Sequence, residues 1–226
     1  MDGQSTDGTL ALLRGYGDRI RWRSQKDAGQ SEAVNDGVAL ADGEIIAWIN
    51  SDDYYPHARV LPRVLEAFRA NEQLDIVYGD GLMVDVGHQP IRVHGSRPIE
   101  SARQILLHPA SFVMQPAVFF RRSLFLAAGG LEVGLRWTMD YELWLRLFPL
   151  ARKTLYMPSQ LACATYHADA KSVRSMLLQI GELAAVKRRY SSLLRVGRID
   201  RVLMEAGIAT LYAYWVATRI GLKRAS

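Results

Sequence analysis

EIIAWINSDDYY, residues 44–55, decides how the rest of the chain is read. It opens as an apolar run, Ile45-Ile46-Ala47-Trp48-Ile49, and turns polar at Asn50-Ser51-Asp52-Asp53. An apolar run without chemical alternation suits a strand buried on both faces, as in a parallel sheet. Open α/β sheets bind ligands beyond the carboxyl ends of their strands. Adjacent carboxylates there suit a hard divalent cation, which in turn suits a diphosphate. The other reading of Asp52 and Asp53 is a strand-end turn whose side chains cap the next helix.

Working outward, Gly29, Asn35 and Gly37 lie upstream in the pattern G-x-x-x-A-x-N-x-G, which opens a helix over 31–41. Either the helix needs small residues for packing, or its N-terminus approaches phosphate or ribose. Before it, 9–16 reads as a short amphipathic helix and RIRWRS, 19–24, as an alternating strand. Downstream, a helix runs to about residue 70 with Leu61, Val64, Leu65 and Phe68 on one face. Strands follow at 75–79 and 81–93, the latter turning back at Gly87-His88. A helix at 99–107, the strand QPAVFF at 115–120 and a helix at 122–128 ended by Gly129-Gly130 come next. Asp140 opens the helix DYELWLRLF, where a carboxylate serves as a cap and, held in place, can also serve as a base. Trp137, Tyr141 and Trp144 around it suit either the core or a platform for a sugar ring. Short strands at 153–157 and 161–166 precede helices from about residue 172. Strands alternating with helices argue for an α/β fold.

The 226 residues are 49% hydrophobic and 23% charged, as in a folded domain with one appendage. The single cysteine, Cys163, excludes an intramolecular disulfide, reads as a small buried hydrophobe and fits a reducing compartment. MDGQSTDGTL, residues 1–10, lacks the basic and apolar regions of a secretory leader. The longest apolar stretch, 202–222, is interrupted by Glu205 and Arg219, so no membrane span is expected. Residues 171–226 hold 11 Lys and Arg against 3 Asp and Glu, which makes the tail basic and the remainder slightly acidic. Lys187, Arg188, Arg189, Arg195, Arg198 and Arg201 precede an aromatic segment with Tyr212, Tyr214 and Trp215. The tail suits either an interfacial helix on an anionic membrane or an amphipathic helix packed back on the domain. Nucleic acid is not an expected partner, because no recognition motif accompanies the charge.

Four blocks in order resemble glycosyltransferase family 2, enzymes of the GT-A fold that use nucleotide-activated sugars. DGQSTDGT resembles the family's D-G-x-S-x-D-x-T loop, and GQSEAVNDGVALADGEIIAWINSDD its run from a Gly-Asn-Gly helix through a D-x-D-type metal motif. QPAVFFRRSLFLAAGGLEVGLRWTMDYELWLRL resembles the acceptor-side segment, and YHADAKS the R-x-H-x-x-S-K-S segment after it. The resemblance covers residues 1–172 and implies a GT-A (Rossmann-like) nucleotide-sugar-binding domain there, with 173–226 as a helical basic tail. It further implies that Asp2 contacts the nucleotide base, and that Gly29, Asn35 and Gly37 lie along the donor site. Asp52 would bind Mg²⁺ or Mn²⁺, with Asn50 and Asp53 beside it on the donor. Asp140 would be the general base, and His167, otherwise a loop or packing histidine, would lie near the diphosphate or metal. Asn50 stands where the commoner residue is Asp, which weakens a ribose contact. The family's usual opening strand, helix and second strand are not found before residue 1, so the nucleotide half is expected to be N-terminally incomplete.

The resemblance therefore implies an inverting transfer from a nucleotide-diphosphate sugar to a hydroxyl of a sugar or lipid-linked acceptor. Cell-surface polysaccharide or glycolipid synthesis is the implied setting, in the cytoplasm or peripheral on the inner membrane face. A non-catalytic remnant or partner subunit that keeps the acceptor half is the alternative.

Overall fold

A computed structural model describes residues 1–166 and 176–224, with side chains to 217. His167 and most of the YHADAKS block lie outside the described residues.

The described elements are α1 (Thr9–Gly15), α2 (Gln30–Leu40), β1 (Ile45–Ala47), α3 (Val60–Ala70), β2 (Leu74–Val84), β3 (Pro90–His94) and α4 (Ala102–Leu107). They continue through β4 (Val118–Arg121), α5 (Arg122–Ala127), α6 (Met139–Leu150), β5 (Lys153–Thr165), α7 (Met176–Leu193) and α8 (Arg198–Arg224). The sheet is built around β2. One edge of β2 pairs along its length with β5, in parallel. Its other edge is shared: residues 76–78 pair antiparallel with β4, and 81–84 antiparallel with β3. β1 closes the end of the sheet, antiparallel to β4.

Alternation along β2 and β4 divides the core between the two faces of the sheet. Ile76, Tyr78, Val118 and Phe120 face a cluster shared with α4 to α8, whereas Val77 and Phe119 face α3 through Val60, Val64 and Phe68. Helices cover both faces, the layering expected of an α/β domain. Gly81 on β2 lies so close to Met114 that a Cβ there would run into the thioether. At the start of β2, buried Asp75 accepts hydrogen bonds from Arg152 N, Nε and Nη2 at 2.8, 3.0 and 2.7 Å.

Several expectations are corrected. β1 is not buried on both faces. Ile46 and Trp48 are buried while Ala47 and Ile49 are exposed, because β1 lies at the sheet end with α2 and α5 on one side. Three of the four strand pairs are antiparallel, and the longest, β2 with β5, is parallel. RIRWRS is not a strand. Its β pairing is an isolated bridge from Ser24 to Asp2, and Arg21 ties it by its side chain to Leu40 O and Asp42. The buried stripe of α3 is Val60, Val64 and Phe68, with Leu61 and Leu65 exposed, because the i, i+4, i+8 row is the one that packs on Leu74, Val77 and Phe119 of the sheet. Residues 153–165 form one strand rather than two, and its register shifts opposite Gly79 to Gly81 take up the irregularity around Pro158.

The tail helices share the core. Ile180, Leu183, Ala184, Val186, Tyr190, Met204 and Ile208 are buried. Three of the six basic residues read as an outward face are used internally. Lys187 is fully buried, donates from Nζ to His108 O at 2.5 Å and lies over the Tyr141 ring. Burial lowers its pKa to about 8. Arg188 pairs with Glu205 at 2.7 Å and Arg189 with Glu132 at 2.6 Å. Among the described residues no helix is long and apolar enough to cross a membrane.

Candidate active site

The chain leaves β1 at the polar turn 50–53, and this turn is tied on both sides. Asp53 N donates to Asn50 O at 3.2 Å, and Asn50 Nδ2 donates to Asp53 Oδ2 at 2.9 Å. On the far side, Thr165 at the end of β5 donates from Oγ1 to Asp52 O at 2.5 Å and from N to Asp53 Oδ1 at 3.3 Å. Tyr54 and Cys163 exchange both backbone hydrogen bonds just beyond, which seats Cys163 in the core as a small hydrophobe. From α2, Gln30 Nε2 donates to Asn50 Oδ1 at 2.7 Å, and Gln115 donates to Trp48 O. The turn is therefore held rigid, with the Asp52 residue exposed and Asp53 half-buried.

A cavity of about 1010 Å³ opens over this turn. Asn50, Asp52 and Asp53 form one side, Gln30 and Gly37 of α2 another, and Arg136 and Trp137 of the loop before α6 a third. Burial raises the proton affinity of Asp53, and the neighbouring Asp52 charge raises it further against hydrogen bonds from Thr165 and Asn50. Two carboxylates that repel in a partly desolvated turn, with amide and hydroxyl oxygens nearby, match the hard-oxygen chemistry of Mg²⁺ or Mn²⁺. Among the described residues no group of three or more His, Cys, Asp or Glu gathers as a metal cluster.

Asp140 lies in the first turn of α6, next to the cavity wall but not in it; Trp137 and Met139 are the lining residues there. Burial pushes its carboxyl up to about 6; the amides of Tyr141 and Asp140 pull the other way, and the charge of Glu182 adds to the rise. The aromatic trio divides. Tyr141 and Trp144 are core, Tyr141 donating to Ile105 O at 3.0 Å, while Trp137 is half-buried on the cavity.

The remaining expected residues, Asp2, Gly29 and Asn35, are not among the residues that line the cavity. Asp2 is buried and its oxygens accept hydrogen bonds from its own loop and from Ser24. It accepts from Ser24 Oγ at 2.6 Å, Ser5 Oγ at 2.5 Å, Ser5 N at 3.2 Å and Gln4 N at 3.1 Å. Ser24 and Ser5 hold its pKa below the ordinary carboxylate value. Asn35 reaches away from the cavity, donating to Leu131 O at 2.9 Å and accepting from Leu131 N at 2.8 Å. Gly29, at φ +145°, makes the left-handed turn into α2 that glycine tolerates. Gln30, Gln115, Arg136 and Thr165 were not foreseen; only Gln30, beside Gly29 in its motif, carried a sequence signal.

The family model described as "Glycosyl transferase family 2" matches residues 1–127. An uncharacterized glycosyltransferase of Mycobacterium tuberculosis is 26% identical over 200 residues, which cover 84% of this chain and 72% of that protein. A PGL/p-HBAD biosynthesis glycosyltransferase of Mycobacterium bovis is 31% identical over 152 residues, 66% of this chain and 56% of that one. Among solved structures, TarS 1–349 of S. aureus superposes with TM-score 0.58 at 16% identity, over 82% of this chain and 54% of that one. A mannosyltransferase of Pyrobaculum calidifontis, solved with GDP-Man and Mn²⁺, gives 0.59 at 15% identity, over 97% and 64%. These structural likenesses are likenesses of fold, and the fold is GT-A. The chain spans little more than half of two of these proteins, 56% and 54%, and 72% and 64% of the other two.

Proposed function

The chain belongs to glycosyltransferase family 2, and from that premise we propose that it moves a sugar from a nucleoside-diphosphate donor to an acceptor hydroxyl with inversion. The observation that carries this reading is one cavity with the Asn50–Asp53 turn on one side and the loop into α6 on the other. Asp52 and Asp53 would hold Mg²⁺ or Mn²⁺ there, and the ion would supply positive charge for the diphosphate leaving group. Gln30 and Thr165 keep the turn in place. Trp137 offers a flat apolar face of the kind that seats a sugar ring, and Arg136 a positive charge on the same wall. Asp140 is the general base. With its pKa near 6 it is ionised at neutral pH yet retains proton affinity, the condition under which base catalysis gains on the order of 10²–10⁴-fold. Glycan assembly for the cell surface is the setting proposed, beside a relative named for PGL/p-HBAD biosynthesis.

The outer face of α8 suggests where a lipid-linked acceptor is met. Ile199, Val202 and Leu203 are 77%, 69% and 53% exposed, and Arg195, Arg198 and Arg201 stand beside them. The two acids of this helix are turned to arginines, Asp200 to Arg103 and Glu205 to Arg188. An apolar face edged by arginines, its nearby acids neutralised, fits an anionic membrane surface. Reversing Arg195, Arg198 and Arg201 to Glu should abolish co-sedimentation with phosphatidylserine vesicles; unchanged binding would refute the membrane role.

The direct test is calorimetric titration of the 226-residue chain with UDP and GDP, with and without Mn²⁺, beside Asp52→Ala. Metal-dependent binding that Asp52→Ala removes is the expected result. A folded chain that binds neither nucleotide would refute the transferase reading and favour a non-catalytic remnant or partner subunit.

A further inference from the structure

Thr138 precedes α6 with no side-chain cap of its own. The loop that enters α6 turns three successive N–H groups, of Arg136, Trp137 and the N-cap Thr138, towards one point, and such a run of amides makes an anion site. Here a side chain 44 or more residues later in the chain fills it. Glu182 Oε2 accepts from Arg136 N at 3.0 Å, and Oε1 accepts from Trp137 N at 2.8 Å, Thr138 N at 2.8 Å and Thr138 Oγ1 at 2.9 Å. Its neighbours Ile180, Leu183, Ala184 and Val186 are buried, so α7 presents this carboxylate from a fixed position.

We propose that Glu182 is the positioning residue of the active site: its carboxylate fixes the loop that carries Arg136 and Trp137 and sets the start of α6 from which Asp140 projects. The inference rests on the transferase reading for its catalytic consequence, but the clamp itself is a matter of geometry. A second consequence follows from charge. Glu182 is the charged side chain facing Asp140 from α7, and the amides of Asp140 and Tyr141 face it from α6. Burial alone would raise the proton affinity of Glu182, but its bonds to Arg136, Trp137 and Thr138 outweigh burial and keep it ionised. A fixed negative charge beside Asp140 strengthens its hold on a proton.

The test compares wild type, Glu182→Gln and Glu182→Ala in the full chain, by ¹³C titration of the Asp140 carboxyl, amide exchange at residues 136–138 and steady-state transfer. Glutamine keeps one acceptor oxygen for Trp137 and Thr138, gives up the bond from Arg136 N, where its amide can only donate, and removes the charge, so the Asp140 midpoint should move down. Alanine removes the whole clamp. Exchange at residues 136–138 should accelerate, and kcat should fall on the order of 10–100-fold, the scale of a misplaced catalytic group, with KM rising as well because Arg136 and Trp137 on the cavity wall are released with the loop. An unmoved Asp140 titration in Glu182→Gln would overturn the proposal, because a merely structural glutamate predicts that result. So would unchanged amide exchange in a folded Glu182→Ala chain. If alanine does not fold, the glutamine titration decides. The spectroscopic arms need no turnover, so a shifted titration in a chain that transfers no sugar would support the clamp and refute the transferase reading.

Discussion

Asp140→Asn should inactivate transfer and at the same time stabilise the protein at neutral pH. The carboxyl rises from 3.8 to about 6 on folding, which at about 1.4 kcal/mol per unit is roughly 3 kcal/mol. The folded state holds this proton more tightly than the unfolded chain. The neutral carboxyl therefore carries no penalty below about pH 4; stability declines as pH rises towards 6 and stays lower beyond. Asparagine does not titrate and escapes that decline. Urea unfolding of both proteins near pH 3.5 and pH 7.5 measures the difference. Taking slopes of about 2–3 kcal/mol/M, the midpoint gap between variant and wild type should widen by roughly 1 M on going to the higher pH. Any shape difference between the side chains offsets both conditions alike and cancels. A gap that stays constant with pH would refute the reasoning: Asp140 would then be an ordinary solvated helix-start carboxylate, and its tuning as a base would lose its physical basis.

Two further outcomes test the frame that carries the site. Gly81→Ala drives a Cβ into Met114 between the sheet and its lower core; thermal or urea unfolding should show a loss of about 1–3 kcal/mol, and an unchanged midpoint would mean that Met114 swings aside. Asp75→Asn breaks the grip on Arg152. Burial alone would raise Asp75, but the Arg152 hydrogen bonds and charge, with Arg121 behind them, hold its pKa below the usual carboxylate value. Its contribution is present above about pH 4 and lost as pH falls below that. The variant should lose about 2–3 kcal/mol at pH 7, less than a fully buried pair because Arg152 is half in water, and the loss should vanish in acid.

What could be read from the sequence was what local chemistry encodes. The turn at 50–53, the helix α2 behind its glycine and the helix opening near Asp140 each announce themselves in contiguous residues, and the structure brings the first two to one cavity and the third to its wall. What the sequence hid depends on long-range partners. The unalternating run at 45–49 is chemically uniform, so nothing in it says that Ala47 and Ile49 face out; the sheet end decides that. RIRWRS alternates well, but among the described residues its β pairing is the single bridge from Ser24 to Asp2. That Asp2 is held by Ser5 nearby and by Ser24 from 22 residues away is likewise a long-range fact that its own motif does not carry. Glu182, in a basic segment that invited a surface reading, gives no local sign that it closes a loop more than 40 residues earlier.

The pairing of β2 along one whole edge with β5 bears on how the protein is made. Leu74 meets Lys153 and Val84 meets Thr165, so each rung joins residues about 80 apart in the chain. At about 5–20 residues per second, a ribosome needs roughly 4–16 s to supply β5 after β2 has been synthesised. Throughout that interval one side of the central strand is an open, largely apolar edge of the kind that recruits other chains. The covered sheet is a late product of translation, and a polypeptide ending at residue 127, where the family match stops, would keep that edge bare for good. Residues 153–165 thus act as the protein's own protection against misassembly, and expression trials should retain them whatever activity is being sought.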